Sequence, residues 1–503
     1  MGNAYFMVVL GIILAKGVGF YRDMVFAGMF GTSEVGGDIY FQVFGLVNLI
    51  FTGIGVALST LVIKNINKTE NHGKEREYAS RFLQKSMLWL LGAMAVVAIL
   101  AKPIVSVILP GISGGDLELA IHMMYVMIPS MSFVIVGYII SGILQNEKAF
   151  FITSVMSLPF NVLIILAAML FELSPLAVGA ITTVGWFLQI LILLPSFYKK
   201  KYSFFAAKSE KLKSGEKNPE IIWIFISNMM FQLCFYTDRA FVSSQEGMIS
   251  TLNYASNLFV TVASVFVVAM STVIFPSISK NYEEGNKEYV NDILQYIITV
   301  MCAIFLPFLL VGALFGKDII ALVYERGSFT HESTEAVASI FFIYSLGILG
   351  YVCQELFNKI LYLAGKYKYT VIGTIVVIAL NALSNFLIKT FVPQSFALSH
   401  AQLMAISTSA WLTVYAVAIS IGIKSVVGSY WKKSLLADIA KIIVSGVAAF
   451  LVYVLCNSFF PTLTHGKISF VLCVGACGVV YVVMLAITGV LRHLIRKERN
   501  QTA

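Results

Sequence analysis

Residues 293–316 read ILQYIITVMCAIFLPFLLVGALFG and contain no charged side chain. A helix of about twenty apolar residues crosses the roughly 30 Å hydrocarbon core of a bilayer. Runs of this kind recur along the whole chain, which is 58% hydrophobic and only 12% charged. Because lipid offers the backbone no hydrogen-bond partner, and because the runs lack the alternation of barrel strands, they predict spanning helices. The expected fold is an all-α polytopic membrane protein.

The apolar runs predict about fourteen transmembrane helices. Their expected positions are 4–20, 39–63, 86–109, 120–143, 151–171, 175–197, 220–243, 251–277, 290–314, 335–357, 369–390, 401–423, 439–460 and 468–491. The first run lacks a basic flank and a second span follows it closely, so we expect a membrane helix there rather than a cleaved signal peptide. An even number of spans places both termini on the same side of the membrane.

Lysines and arginines are concentrated in alternate connections, at 64–85, 199–217 and 492–499. Cytoplasmic loops of membrane proteins carry this excess of basic residues, so these segments and both termini are expected on the cytoplasmic side. Orientation and contact with anionic lipid also explain the net charge of +9. The basic character therefore does not indicate a nucleic-acid partner.

Two parts of the chain resemble each other. Residues 57–68 (ALSTLVIKNINK) are similar to residues 269–280 (AMSTVIFPSISK), and Arg22-Asp23 has a reversed counterpart in Asp238-Arg239. Parallel repeats of six helices predict two lobes with a substrate path between them, as in transporters. The predicted domains are an N-lobe with helices 1–6 at 1–200, a cytoplasmic linker at 201–218, a C-lobe with helices 7–12 at 219–425, helices 13–14 at 439–491 and a basic cytoplasmic tail at 492–503.

Charged and amide side chains within the predicted spans are candidates for this path. A charge at the centre of a membrane helix costs about 2.5–3.5 kcal/mol, so such residues usually face the bundle interior or a watery cavity. Lys16 and Arg22 on the first helix favour an anionic headgroup, above all a phosphate or pyrophosphate. The alternative is that Arg22 and the adjacent Asp23 form an ion pair that holds helix ends together. With Asn48 and Asn257, these residues form the predicted substrate-binding set.

A second polar group has the ligand chemistry of a sodium site. Asp238 on helix 7, together with Asn381 and Asn385 one turn apart on helix 11, carries the oxygen atoms that hard cations prefer. Cross-linking of membrane helices by polar side chains is the alternative interpretation. The cysteines and histidines lack metal-ligand spacing, so no other metal or cofactor is expected. The chain also lacks Walker, G-x-S-x-G and HExxH motifs, so we do not expect an enzyme.

Short motifs in both halves carry a family resemblance. They are Gly19-Phe-Tyr-Arg-Asp23, Phe30-Gly31 and Leu46-Val-Asn48, then Leu252-Asn-Tyr-Ala255, Phe275-Pro-Ser-Ile-Ser279 and Tyr324-Glu-Arg-Gly-Ser-Phe-Thr330. Together they resemble the MurJ (MviN) family of lipid II flippases, in the multidrug/oligosaccharidyl-lipid/polysaccharide exporter superfamily. The resemblance implies two lobes that rock between inward-open and outward-open states, with helices 13 and 14 forming a hydrophobic groove for the lipid tail.

The resemblance also implies roles for individual residues. Arg22 and Asp23 match the family's charged cavity pair, and Lys16 stands where members commonly carry arginine. The family's sodium site corresponds to the aspartate and two asparagines named above, with an amide where a carboxylate can occur. Phe51 and Asn257 occupy positions where members often have arginine. These two departures leave room for a related undecaprenyl-pyrophosphate-linked sugar as the substrate.

The expected function is movement of lipid II, the undecaprenyl-pyrophosphate-linked peptidoglycan precursor, to the outer leaflet of a bacterial cytoplasmic membrane. Contact with cell-wall synthesis enzymes is expected, and the membrane potential would favour export of negative charge by about 2.3 kcal/mol per charge per 100 mV. One alternative is flipping of another polyprenyl-linked polysaccharide precursor. A second is a drug or metabolite antiporter with a narrow acidic cleft. A third is a membrane-embedded glycosyltransferase or ligase, for which Glu325 and His331 are the candidate pair.

Overall fold

The computed structural model describes residues 2–67, 74–204, 226, 230–459 and 467–494. Every regular element in these ranges is helical, which confirms the predicted all-α fold. The chain divides into two compact units, of which the first contains Met1–Tyr254 and Arg326–Thr330, and the second Ala255–Glu325 and His331–Ala503. Most of the predicted linker at 201–218 lies outside the described residues, so the division into an N-lobe and a C-lobe stays a prediction.

The first unit is built around one long central helix. Its helices are α1 (Gly2–Phe30), α2 (Val35–Val47), α3 (Gly53–Ile66), α4 (Glu75–Ile99), α5 (Ala101–Ile108), α6 (Gly114–Asn146), α7 (Phe150–Ser154), α8 (Leu158–Leu170), α9 (Pro175–Lys199), α10 (Met230–Phe241) and the start of α11 (Met248–Val273). A π-helical turn at Asn48–Thr52 joins α2 to α3. Helix α6 packs against α3, α4 and α9. Ser174 caps α9 by accepting a hydrogen bond from the Ala177 amide, and Pro175 occupies its first turn, where its missing N–H costs nothing.

The second unit continues α11 and adds eight helices. They are α12 (Phe275–Glu283), α13 (Lys287–Tyr324), α14 (His331–Leu346), α15 (Ile348–Leu363), α16 (Tyr367–Phe391), α17 (His400–Val427), α18 (Lys433–Phe459) and α19 (Lys467–Ile487). Helices α14 and α15 are bent by 45° relative to each other at Gly347. A Cβ at Gly347 would lie 3.0 Å from the Cα of Ser409, so the missing side chain lets α17 pack closely against the bend.

Helices α18 and α19 occupy the positions of predicted helices 13 and 14, and both pack against α13. Gly446 on α18 approaches Leu306, and the Tyr481 hydroxyl on α19 donates to the Ala303 carbonyl at 2.8 Å. Tyr481 thus uses a polar contact to fix an otherwise apolar helix pair, since its buried hydroxyl needs a partner in this environment.

Nine helical segments of the described ranges are long and apolar enough to cross a membrane, and the bent α14–α15 pair makes ten. Four predicted spans are not among them, at 4–20, 151–171, 220–243 and 468–491. The run at 151–171 is divided into α7 and α8, with Pro159 at the start of α8. The run at 220–243 lies partly outside the described residues. The membrane-spanning helical class is therefore confirmed, whereas the count of fourteen stays a prediction.

Candidate functional site

Arg22 is held by neighbouring side chains from α1 and α8. Its Nε and Nη2 atoms donate to Asp23 Oδ1 at 3.1 and 2.6 Å, and Nη1 donates to Asn161 Oδ1 at 3.0 Å. The guanidinium also lies 5.7 Å from the ring centroid of Phe26 and 5.5 Å from that of Phe160. Charge-assisted hydrogen bonds and cation–π contacts together fix its orientation.

The guanidinium of Arg22 keeps part of its bonding capacity. The three hydrogen bonds use three of its five N–H groups, and the side chain is 16% exposed. The other two N–H groups donate to no atom of the described residues. Lys16 lies on the same helix and is exposed, two helical turns before Asp23. Helix α1 therefore carries a fixed guanidinium with spare donors and a second cation, both suited to phosphate oxygens.

Asn161 was not singled out from the sequence, although it contacts Arg22 directly. The side chain is only 4% exposed, and its amide nitrogen donates to the Ser157 carbonyl at 3.0 Å. An amide inside an otherwise apolar helix was the available signal, because buried polar groups in membrane helices need partners. Its oxygen supplies the acceptor that orients the guanidinium.

Asn48 begins the π-helical turn in the second predicted span. Its Oδ1 accepts a hydrogen bond from Thr52 Oγ1 at 3.0 Å. Turns of this type are often found at functional sites. Phe51 in the same turn is buried, so apolar packing occupies the position where the MurJ family often has arginine.

Asp38 at the start of α2 is a buried carboxylate that the sequence analysis missed. It is 3% exposed and accepts three hydrogen bonds, from the Gly247 amide at 2.8 Å, the Ser250 amide at 2.7 Å and Ser250 Oγ at 2.6 Å. These donors lie at the beginning of α11, where helix N–H groups lack partners within the helix. A negative side chain there caps the helix and complements its dipole. Asp38 thus links the first half of the chain to the start of α11.

Residues 326–330 belong to the first unit and contact the end of α1. The Ser328 amide donates to the Gly28 carbonyl at 2.8 Å, and the Phe329 ring meets Tyr254 edge-on at 5.6 Å. The Tyr254 hydroxyl donates to the Phe26 carbonyl at 3.1 Å. The motif at 252–255 therefore contacts α1 through the Tyr254 hydroxyl. The motif at 324–330 contacts it through the backbone amide of Ser328.

We expect Gly247→Ala to destabilise this region strongly. Gly247 has a φ of +75°, and an added Cβ would lie 1.6 Å from the Thr32 carbonyl oxygen. The left-handed conformation alone costs a non-glycine residue about 1–2 kcal/mol, and the clash adds to that. Gly285→Ala is the matched control, because Gly285 has a φ of +77° and no atom within 4 Å of the added Cβ. Equal shifts in the thermal midpoint of the two purified variants would contradict the close approach at Thr32.

Arg239 on α10 also binds an amide. Its Nη1 donates to Asn253 Oδ1 at 2.6 Å, and its Nη2 lies 3.3 Å from the Cβ position of Gly45. The reversed Asp238-Arg239 motif thus repeats the arginine–asparagine contact seen at Arg22. The neighbouring Asp238 side chain is fully buried in the first unit.

The other predicted sodium ligands and Asn257 belong to the second unit. Asn381 and Asn385 lie one turn apart on α16, and both are fully buried. The Asn381 amide nitrogen donates to Thr408 Oγ1 on α17 at 2.8 Å. Asn257 on α11 is half-buried. The two buried amides and the threonine hydroxyl provide oxygen atoms of the type that sodium prefers, so the donor set of this unit fits that ion chemically.

Glu325 and His331, the candidate pair for an enzyme, have a structural role. Glu325 Oε2 accepts a hydrogen bond from Thr334 Oγ1 at 2.7 Å and lies 3.5 Å from His331 Nδ1. Both partners are in the first turn of α14, where a carboxylate favours the positive end of the helix dipole. These contacts tie Glu325 to the first turn of this helix.

Two solved membrane transporters have a fold similar to that of this chain. A solved MurJ lipid II flippase in an inward closed conformation is similar to 97% of this chain and 100% of its own, with a TM-score of 0.74 and 20% identity. A multidrug resistance MATE transporter in an inward-facing conformation covers 84% of this chain and 98% of its own, with a TM-score of 0.63 and 15% identity. This chain therefore shares its fold with these two solved transporters.

The sequence comparisons define the family among transporters of this fold. The family model described as lipid II flippase MurJ matches residues 26–474. A probable lipid II flippase MurJ from Buchnera aphidicola subsp. Baizongia pistaciae is 26% identical over 80% of this chain and 80% of its own. This chain belongs to the MurJ family. The resemblance inferred from the short motifs is thereby confirmed.

Proposed function

We propose that this chain moves lipid II from the cytoplasmic to the outer leaflet by alternating access. The match to the lipid II flippase family over residues 26–474 is the observation that carries this proposal. As a transporter the chain catalyses no chemical change in its substrate, and the structural role of Glu325 agrees with that assignment.

In this mechanism α1 supplies the binding groups for the headgroup. Arg22 has two N–H groups for the pyrophosphate oxygens while Asp23 and Asn161 keep the guanidinium oriented. Preorganisation of this kind lowers the entropic cost of binding, because the side chain does not have to be ordered again. Lys16 adds a second positive charge. Asn48 then contributes an amide donor for the sugar or phosphate groups.

The orientation follows from the distribution of charge. The basic connections at 64–85 and 199–217 and the basic tail lie on the cytoplasmic side, with both termini. The protein acts in the bacterial cytoplasmic membrane, where enzymes that synthesise the cell wall are its partners. On this orientation the Val35 end of α2 and the Met248 end of α11 face the outer side.

Complementation tests the proposal. The chain is expressed in bacteria depleted of their own lipid II flippase, and outward-facing lipid II is labelled with a membrane-impermeant reagent. We expect restored growth and restored labelling. Normal membrane expression without either result would overturn lipid II as the substrate.

Another polyprenyl-linked polysaccharide precursor is the second candidate substrate. It is favoured by Phe51 and Asn257, which stand where family members often have arginine, since loss of two cations weakens the complementarity to an anionic headgroup. Failure to rescue lipid II flipping, together with rescue of a strain that lacks a capsule or exopolysaccharide flippase, would establish this alternative.

We also propose that sodium binding at Asn381 and Asn385 is coupled to transport. A ligand that binds only the folded state at a hundredfold excess over its Kd stabilises it by about 2.7 kcal/mol. Sodium chloride should therefore raise the thermal midpoint of the purified protein above its value in choline chloride. Asn381→Ala should abolish that difference, whereas Asn67→Ala should retain it, because Asn67 is an exposed amide whose side-chain nitrogen donates to Asn146. Equal midpoints in the two salts would refute sodium binding.

A further inference from the structure

An apolar groove opens on the side of the first unit, between α4, α6 and α9. It has a volume of about 850 Å³, and its lining is apolar except for Gln84 and Ser132. Ser132 donates to the Met94 sulfur at 2.8 Å, so its hydroxyl is satisfied within the wall. Leu88 and Leu91 on the rim are 70% and 62% exposed. The groove is therefore accessible from the membrane.

The groove extends through about half of a bilayer. Gln84 and Phe204 lie at the end where α4 begins and α9 has ended, and Met94 lies deeper along α4. Ten residues of helix between Gln84 and Met94 correspond to about 15 Å at 1.5 Å per residue. Half of a hydrocarbon core of roughly 30 Å has the same length. The groove matches one lipid chain of a single leaflet.

Three exposed lysines are close in sequence to Gln84 and Phe204, which line this end of the groove. Lys85 follows Gln84, and Lys199 and Lys201 stand at the end of α9, with all three exposed. The neighbouring Lys200 is instead engaged with Glu147, at 3.3 Å. The exposed lysines therefore give a positive headgroup region above an apolar channel. That combination is complementary to an anionic lipid.

The residues that follow α9 place Phe204 in the wall of the groove. Lys201 has a φ of +62°, which turns the backbone. Tyr202 then stacks on Phe197 at 5.6 Å and donates to Glu147 at 2.9 Å. Burial and the adjacent Glu147 carboxylate raise the pKa of the Tyr202 phenol, so it remains a neutral donor. Phe204, 5.5 Å from Phe197, is thereby placed in the groove wall.

We propose that this groove binds one acyl chain of an anionic phospholipid, whose phosphate is held by Lys85, Lys199 and Lys201. The undecaprenyl tail of the proposed substrate is far longer than the groove, so a phospholipid fits better. The site is separate from the headgroup site on α1, and its occupant does not depend on which glycan is transported.

The test uses the full-length protein in nanodiscs of phosphatidylglycerol or phosphatidylcholine, with photoreactive benzoylphenylalanine in place of Leu91. Mass spectrometry identifies the cross-linked molecule. The same label at Val417, which is 60% exposed on α17, reports ordinary membrane contact. We expect adducts at position 91 to be several times more abundant with phosphatidylglycerol than with phosphatidylcholine, and adducts at 417 to show no preference.

Variants that lack the positive charge of the three lysines provide a second test of the same proposal. Each lysine near an anionic lipid contributes about fivefold in affinity, which is about 1 kcal/mol. Changing Lys85, Lys199 and Lys201 to Gln should therefore lower the phosphatidylglycerol adduct at least tenfold. Changing Lys287, Lys424 and Lys433 to Gln, three exposed lysines of the second unit, should leave it unchanged. Equal adducts with both lipids, an adduct with residues 205–225 of the chain or an adduct with undecaprenyl lipid would each overturn the proposal.

Discussion

Arg22→Ala is expected to abolish rescue of a flippase-depleted strain by this chain. In the proposed mechanism, the substitution removes charge-assisted hydrogen bonds to the headgroup, each contributing about 1.5–3 kcal/mol, or roughly tenfold to a hundredfold in affinity. It also leaves the Asp23 carboxylate, 14% exposed, without its guanidinium partner. Loss of growth and of outward-facing lipid II, at equal membrane expression, is the expected result. Arg492→Ala, which removes an exposed arginine from the other end of the chain, should rescue normally.

A double variant separates substrate binding from the ion-pair interpretation. Removing one partner of a buried pair is costly mainly because the other charge is left uncompensated. Arg22→Ala combined with Asp23→Asn removes both charges, so it should recover the thermal stability that Arg22→Ala loses. If Arg22 binds the headgroup, the double variant is stable and still inactive. If the pair only holds helices together, the double variant rescues growth.

The membrane-spanning helical fold was predictable from the sequence because hydrocarbon thickness and backbone hydrogen bonding leave few choices. Helix breaks were harder to predict. The run at 151–171 becomes α7 and α8, and the bend at Gly347 interrupts a predicted single span. Breaks of this kind depend on neighbours such as Ser409, which hydropathy does not reveal.

Part of the candidate site was predictable because the hydrocarbon core also restricts where charged side chains can lie. Arg22 and Asp23 are conspicuous because a charge in an apolar run is costly. Asn161 and Asp38 are less conspicuous, the first as one amide in α8 and the second near a helix start. Their roles depend on partners far away in the chain, which are Arg22 for Asn161 and Ser250 for Asp38. Local sequence carries no information about such pairings.

Asp38→Ala is expected to release the start of α11 from α2. The carboxylate accepts three hydrogen bonds from Gly247 and Ser250, and loss of an N-cap carboxylate costs about 0.5–2 kcal/mol. Both α2 and the start of α11 belong to the first unit, so this contact stabilises that unit internally. Its loss should therefore increase local opening at the start of α11 by a factor of up to roughly thirty, since 1.4 kcal/mol is tenfold.

Hydrogen–deuterium exchange measures this local opening directly, because two of the three donors to Asp38 are backbone amides. Peptides containing residues 247–251 should exchange faster in Asp38→Ala, and Ser250→Ala should give a smaller increase because it removes only the hydroxyl bond. Asp116→Ala is the matched control, an exposed carboxylate in the first turn of α6. Unchanged exchange in Asp38→Ala would show that other contacts, such as the Tyr254 hydroxyl with the Phe26 carbonyl, hold the start of α11 without the carboxylate.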